Sequence, residues 1–348
     1  MSTEKVAGPT VPAHSMKSPL NIGVVGLGRL GSLYARHFAS RLSGARLHAV
    51  TDVRSAVARQ IAAESGAIAY ANHHDMFEDR ALDAVVVTTP TRLHAEIVKA
   101  AAHAAKAIFC EKPLSLECAE AAAMSAVVRK QGVYFQLGFM RRFDRAYAAA
   151  KHKIEAGAIG TPIVFKSTSR DQFPPSLDYL RPANSGGLFV DMGIHDFDLA
   201  RWFMGEVTRV HTTGAAIGDP RIGRIGDVDN AFVTLTYQSG AIGAVSLSRQ
   251  GVYGYAIDTE IVGTSGTLRI GYDRETALLV MTEGSIAHDT VPGFLERFDQ
   301  AYLAQLQNFV DNLRLDRPPP ITCDDGLAAQ KIAAAAKKSL RSGKTEKV

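Results

Sequence analysis

Asn21-Ile-Gly-Val-Val-Gly26 is a short apolar run that ends in glycine, and Gly26-x-Gly28-x-x-Gly31 opens where the hydrophobic period changes from a strand's to a helix's. That junction constrains the fold more than any other stretch of the chain. Gly26 permits a tight turn, Gly28 lets the backbone approach a pyrophosphate, and Gly31 lets the following helix pack close to a sheet. Leu27, Arg29 and Leu30 complete the loop. The helix N-terminus then offers its free N–H groups and positive dipole end to phosphates. Such a glycine pattern alone also fits a plain packing turn. Its place between strand and helix, with an acid, Asp52, ending the next strand, selects a dinucleotide site.

The pattern around it agrees. Strands are expected at 21–26, 46–52, 83–89, 106–110 and 133–139, and helices at 30–42, 55–65, 91–105 and 116–131. This alternation implies βαβ units around a parallel sheet. A carboxylate at Asp52 would accept hydrogen bonds from the adenosine ribose and repel a 2′-phosphate, favouring NAD over NADP. Val53 and Arg54 follow it. Arg54 reads either as a 2′-phosphate ligand that offsets this preference or as a solvated charge at a helix start.

The second half changes character. Helices are expected at 147–156 and 186–204, and short strands at 162–168, 207–213, 230–237, 241–248, 258–262, 267–270 and 277–281. Gln238-Ser-Gly240 and Gly263-Thr-Ser-Gly266 are hairpin-type turns. Two more helices, 298–315 and 325–340, flank Arg317-Pro-Pro-Pro320. The fold class is therefore an α/β Rossmann domain with a parallel doubly wound sheet, followed by an α+β domain with an open, mainly antiparallel sheet. The expected division is a flexible lead-in (1–19), a dinucleotide-binding domain (20–143) and a substrate-binding and oligomerisation domain (144–348). The lead-in is polar, without the apolar core of a signal peptide, and Met16 is an alternative start.

Composition excludes several partners. The net charge of +4 on 348 residues is too small and scattered to suggest nucleic acid. No apolar run approaches the ~20 residues of a membrane span. Cys110, Cys118 and Cys323 show neither a disulfide framework nor zinc-ligand spacing, and a reducing cytoplasm suits them.

Three features could carry chemistry. Lys112, in Glu111-Lys112-Pro113, follows a strand whose end lines the cofactor crevice, although a surface loop lysine is the plainer alternative. Asp191-x-x-x-His195 falls on the 186–204 helix, where residues four apart share one face. An ion pair or half a metal site would look the same. Phe139-Met-Arg-Arg-Phe-Asp144 crosses between the domains. His73-His-Asp75 reads as loop surface, since three adjacent residues converge poorly, and no metal site is expected.

Together these residues resemble the glucose–fructose oxidoreductase and inositol dehydrogenase family, from about Pro19 to the C-terminus. The glycine turn, Thr88-Thr-Pro90 with His94, Glu111-Lys112-Pro113 and Gly187…Asp191-x-x-x-His195-x-x-Asp198 carry the resemblance. Gly138-Phe-Met-Arg-Arg-Phe-Asp144, the 191–201 segment and Tyr253-Gly-Tyr255 look most like the inositol 2-dehydrogenases within it.

The resemblance implies that Lys112, Asp191 and His195 are catalytic in the NAD-dependent oxidation of a secondary alcohol. His195 would be the base, Lys112 would stabilise the alkoxide, and Asp191 would bind substrate hydroxyls or orient the pair. The Lys112 charge would lower the His195 pKa, so oxidation should quicken toward alkaline pH. Thr88, Thr89, Pro90, His94, Glu111 and Arg142 would lie beside the cofactor, Pro113 would follow a cis peptide, and Arg141, Asp171 and Tyr253 would reach a polyol. Gly193 stands where a β-branched or hydroxyl side chain is implied, which suggests an altered pocket able to admit a larger glycoside. The implied substrate is a cyclitol, myo-inositol at its axial hydroxyl, and the implied assembly a homotetramer. The alternatives are a sugar or glycoside oxidoreductase acting at C3 and a non-catalytic dinucleotide-binding sensor.

Overall fold

The computed structural model describes residues 19–272 and 274–348. The expected lead-in before Pro19, with Met16, lies outside the described residues. The first sheet is built from short, largely apolar runs: β1 (Leu20–Val25), β2 (Ala45–Thr51), β3 (Ile68–Ala69), β4 (Ala84–Val87), β5 (Ala107–Glu111) and β6 (Phe135–Gly138). They pair in parallel in the order β3-β2-β1-β4-β5-β6. Both faces are covered, so alternate residues serve separate cores: Val24, Val86 and Phe109 one, Val25, Val85 and Ile108 the other. The crossover helices are α1 (Arg29–Ser40), α2 (Ser55–Ser65), α3 (His73–Glu78), α4 (His94–His103) and α5 (Cys118–Gln131). Strand order reverses between β1 and β4, and the crevice opens at their C-terminal ends, after Val25 and Val87. Helix α3 was expected as loop. Six residues are too few for a helical period to show, and Asn72 caps it by accepting from Asp75 N at 2.9 Å.

A 3₁₀ turn (Met140–Phe143) and α6 (Arg145–Glu155) lead to the second sheet. Its strands are β7 (Pro162–Arg170), β8 (Val207–Ala215), β9 (Asn230–Tyr237), β10 (Ile242–Ser248), β11 (Ala256–Gly263), β12 (Gly266–Tyr272) and the short β15 (Glu346–Lys347), in the order β12-β11-β7-β10-β9-β8-β15. Every pairing but β7–β10 is antiparallel. A separate hairpin joins β13 (Leu279–Thr282) to β14 (Ser285–His288). Short helices α7 (Leu177–Leu180), α8 (Pro182–Ser185), α9 (Leu188–Asp191) and α11 (Pro220–Arg224) flank the longer α10 (Ile194–Met204).

The single helix expected at 186–204 is thus interrupted. Gly186 and Gly187 both sit at φ +82°, outside helical space, and Gly193 N reaches back five residues to Leu188 O at 3.0 Å. That extra residue separates α9 from α10, so Asp191 ends one helix and His195 lies in the first turn of the next. They do not share one regular face.

The last two long helices, α12 (Phe294–Arg314) and α13 (Cys323–Ser342), return to the first sheet. Phe309 meets Phe109 edge-on at 5.7 Å, and Tyr302 lies 6.0 Å from Tyr34. A Cβ on Gly326 of α13 would stand 2.5 Å from Leu137 Cδ2, so only glycine allows that approach.

Buried charge fixes the two sheets against each other. Arg141 donates to Asp196 at 2.9 Å and to Ser169 at 3.3 Å. Arg142 Nε donates to Asp198 at 2.9 Å, and its Nη2 reaches Asp325 at 3.2 Å. Arg142, expected beside the cofactor, is instead a pin between α10, α13 and the crossing segment. Removing one partner of a buried pair strands the other, at a cost of about 3–5 kcal/mol. Arg142→Ala is therefore expected to lose about that much in urea unfolding, while its NAD dissociation constant stays at the wild-type value.

Candidate active site

The glycine loop is shaped for close approach. Gly26 sits at φ +89°, and a Cβ there would lie 2.8–2.9 Å from Thr89. A Cβ on Gly31 would meet Gly26 O at 2.0 Å. A Cβ on Gly28 would meet nothing within 4 Å, so the loop is open on the side where helix α1 begins without a side-chain cap. No acid occupies the first turn of α1, so its free N–H groups and dipole suit a pyrophosphate. Thr88 Oγ1 donates to Gly26 O at 2.6 Å and ties the β4 end to this loop. Thr89 Oγ1 is buried beside it without a hydrogen-bond partner. These features fit a dinucleotide.

Asp52 closes the adenosine end. Its carboxylate accepts from Leu27 N at 2.6 Å and from Arg54 N and Nε at 2.8 and 3.0 Å. Burial raises its pKa, but the Arg54 and backbone hydrogen bonds outweigh burial and hold it below the usual carboxylate value. Arg54 also donates to Leu27 O at 2.9 Å, and so lies across the loop as Asp52's partner. Val53 is 97 % exposed, an apolar side chain at the rim with nothing on it. Arg29 packs over the Phe294 ring, 5.2 Å from its centroid, and Leu30 is half-buried.

Two residues expected beside the cofactor lie behind the crevice. His94 is buried, its ring nitrogens facing Pro113 O at 2.7 Å and Thr89 O at 2.9 Å. It staples the loops after β4 and β5. Glu111 points inward, where it accepts from Tyr34 Oη at 2.5 Å, and Gln305 of α12 donates to the same Tyr34 oxygen at 2.6 Å. Burial pushes the Glu111 carboxyl up. The pattern placed these residues at the strand ends but could not say which way they point.

Lys112, Asp191 and His195 do come together. The Lys112–Pro113 peptide is cis. Lys112 Nζ donates to the backbone carbonyl of Asp191 at 3.1 Å. His195 is 7 % exposed, packs against Phe139 at 6.2 Å, and leaves Nδ1 shielded without a partner. Burial, then the charges of Lys112 and Arg141, put its pKa well below 6.5. Arg141 reaches the site only by this field, since it is 2 % exposed and committed to Asp196 and Ser169. Tyr253 stands exposed in the β10–β11 loop, and no hydrogen bond joins it to this group among the described residues.

Two residues were missed. Arg249, 1 % exposed, follows β10 and donates to Asp191 Oδ2 at 2.9 Å and Asp171 Oδ2 at 3.3 Å. Tyr179 of α7 donates to Asp191 Oδ1 at 2.8 Å. Neither belongs to a local motif. Only the acids at 171 and 191, both awaiting a buried counter-charge, hinted at them. Burial raises the Asp191 pKa, but Arg249 and Lys112 outweigh it and leave the group ionised. Asp171 differs. Burial and the Asp191 charge push it up to about 6 against the pull of Arg249.

The pocket expected to be widened at Gly193 is not. A Cβ there would meet Leu247 Cδ1 at 2.9 Å and Phe197 at 3.1 Å, so the missing side chain serves packing against β10. Away from the crevice, His73 and His74 begin α3 rather than a loop, and their ligating atoms lie within 4.8 Å of one another and of Glu96's.

Residues 20–139 match the family described as "Oxidoreductase family, NAD-binding Rossmann fold", and 151–348 its C-terminal alpha/beta domain. The myo-inositol 2-dehydrogenase of Thermotoga maritima is 42 % identical over 94 % of this chain and 99 % of its own. The scyllo-inositol 2-dehydrogenase (NAD(+)) of Bacillus subtilis is 38 % identical, covering 94 % and 96 %. The crystal structure of scyllo-inositol dehydrogenase from Lactobacillus casei with NAD(H) and scyllo-inositol superposes with TM-score 0.89 at 33 % identity, covering 95 % and 99 %.

A histidine with its pKa held well below 6.5 is neutral at pH 7 and ready to accept a proton. The acid limb of kcat/KM for alcohol oxidation is therefore expected on the acid side of 6.5, with the rate level around neutrality, in place of the rise toward alkaline pH expected above. Initial rates of NADH formation against pH check this, and a limb centred at or above about 7 would contradict a buried, cation-flanked base.

Proposed function

The chain belongs to the glucose–fructose oxidoreductase and inositol dehydrogenase family, and from that membership we propose that it oxidises myo-inositol at its axial hydroxyl to a keto-inositol. It is an NAD-dependent dehydrogenase acting on the CH–OH group of a cyclitol. The observation that carries the reading is the convergence of Lys112, Asp191 and His195 at the open end of the glycine-loop crevice. A dinucleotide-binding sensor has no use for that group.

In this reading the glycine loop and the start of α1 hold the pyrophosphate, Asp52 the adenosine ribose, and Val53 offers its bare apolar side to the adenine. The nicotinamide, when bound, accepts the hydride from the carbinol carbon. His195 takes the hydroxyl proton, being neutral and dry. Lys112 donates to the same oxygen as its negative charge develops. Asp191 is ionised and accepts from a neighbouring substrate hydroxyl, which fixes the ring face. Asp171, near Arg249 on the same wall, is placed for a further hydroxyl. A neutral polyol brings no charge to balance these acids, and Arg249 and Lys112 already do so.

Phe232 and Ile242, more than half exposed, share the outer face of the second sheet. They support a homotetramer assembled through that face, for which light scattering should return four times the chain mass. The three free cysteines suit the cytoplasm.

Two measurements test the reading. With a panel of inositols, free sugars and glucosides, NAD reduction is expected with myo-inositol. Turnover of glucosides alone would replace the proposal with a glycoside oxidoreductase. His195→Ala is expected to lower kcat by about 10²–10⁴ with NAD affinity unchanged, and wild-type turnover would remove His195 from the reaction.

A further inference from the structure

We propose that Arg249 is a positioning residue for this reaction: its guanidinium holds the Asp191 and Asp171 carboxylates side by side as the substrate-facing wall. The proposal rests on the proposed function above and adds to it a residue that touches neither substrate nor cofactor.

The geometry is that of a fork closed on two acids. One terminal nitrogen of Arg249 reaches Asp191 Oδ2 at 2.9 Å and the other reaches Asp171 Oδ2 at 3.3 Å. A guanidinium presents these donors in one plane, so the two carboxylates are held in a fixed relation to each other. At 1 % exposure Arg249 has no access to the crevice. Its partners do, with side-chain exposures of 14 % for Asp191 and 25 % for Asp171. The charge therefore acts through the acids.

Three segments far apart in sequence meet here. Arg249 directly follows β10, Asp171 directly follows β7, and Asp191 ends α9. Strands β7 and β10 run parallel, with Ser248 beside Arg170, so Arg249 and Asp171 leave neighbouring strands at the same level. Asp171 N donates to Ser248 O at 3.0 Å, and Arg249 N to Asp229 O at 2.9 Å, which anchors the backbones on either side. The remaining groups that act on these acids are Lys112 from the β5 end, Arg141 from the crossing segment, Tyr179 from α7, Tyr255 before β11 and Asp227 before β9. Of these, Lys112 Nζ donates to the Asp191 backbone carbonyl, not to its carboxylate, and Arg141 is paired with Asp196. Among the described residues, Arg249 is the one that bonds both side-chain carboxylates. Without it, two like charges face each other in a partly dry pocket, one takes up a proton, and the acceptor pattern offered to substrate hydroxyls changes.

Arg249→Met keeps the side chain's length and removes its charge. The acid limb of kcat/KM is expected to move up by at least one pH unit. At pH 7, kcat/KM for myo-inositol should fall at least tenfold, largely through KM, with NAD affinity unchanged. Adding Asp171→Asn removes the like charge, and the limb should return toward the wild-type position. An acid limb in R249M identical to wild type overturns the proposal, whatever the activity. Should R249M fail to fold, Arg249→Lys carries the test. One ammonium reaches only one of the two acids, so the limb stays while KM rises at least threefold, and a wild-type KM overturns the proposal. Carboxyl titrations by ¹³C NMR on aspartate-labelled enzyme read the same shift without turnover. Inactivity of the wild type toward inositol, which would defeat the proposed function, thus leaves this test standing.

Discussion

The hydrogen bond from Lys112 to the Asp191 carbonyl, 3.1 Å long, joins a Rossmann strand end to a helix end that packs on the other sheet. Lys112 is fixed to β5, and its reach is limited to a few ångströms. The bond therefore requires that the two sheets keep a constant separation and angle. Much of the structure serves that requirement. Helix α12 lays Phe309 against the first sheet and Tyr302 against α1, although it begins some 180 residues after β5 ends. Helix α13 packs against β6 so closely that Gly326 has no room for a side chain.

Apolar burial holds the halves together but is non-directional. Direction comes from arginines that tie separate elements together around the site. Arg141 binds Asp196 beneath the histidine, Arg142 binds Asp198 and Asp325 behind it, and Arg249 binds Asp171 and Asp191 beside it. Such pairs add little net stability over apolar substitutes, because desolvation offsets their attraction. Their use here is geometric. Asp191, Asp196 and Asp198 come from one interrupted helix, so three fork-shaped donors hold one short segment from three sides.

Local physics made part of this legible. The glycine turn, the alternation of apolar runs with amphipathic ones, and the change to hairpin turns are short-range signals, and the parallel and mixed sheets follow from them. Lys112 was reachable because it follows a strand that ends at the crevice, and Asp191 and His195 through their spacing and the resemblance, although the single helix that spacing assumed is broken. What failed depended on direction or distance. His94, Glu111 and Arg142 sit in the right stretches but turn inward, where buried partners outcompete a ligand. The break before Gly193 needed knowledge of Leu247, whose side chain fills the space a Cβ would take. Arg249 was invisible because its partners lie 58 and 78 residues away.

The same charges answer a difficulty in the proposed chemistry. A histidine with a lowered pKa is a weak base, and an alcohol is a far weaker acid than an imidazolium. Lowering the base further would slow proton transfer if nothing else changed. Lys112 acts on both ends of that transfer. Its charge disfavours a protonated His195 and, more directly, favours negative charge on the substrate oxygen to which it donates. In the proposed reaction Lys112 donates directly to the oxygen and acts on the imidazole only through its charge, so the alkoxide gains more than the histidine loses. Asp191 tempers the effect, since its ionised carboxylate, itself held by Arg249, keeps the site from accumulating positive charge. In the proposed reaction the low pKa of His195 thus leaves the base free at neutral pH, while the driving force for proton removal comes from the cation beside the substrate.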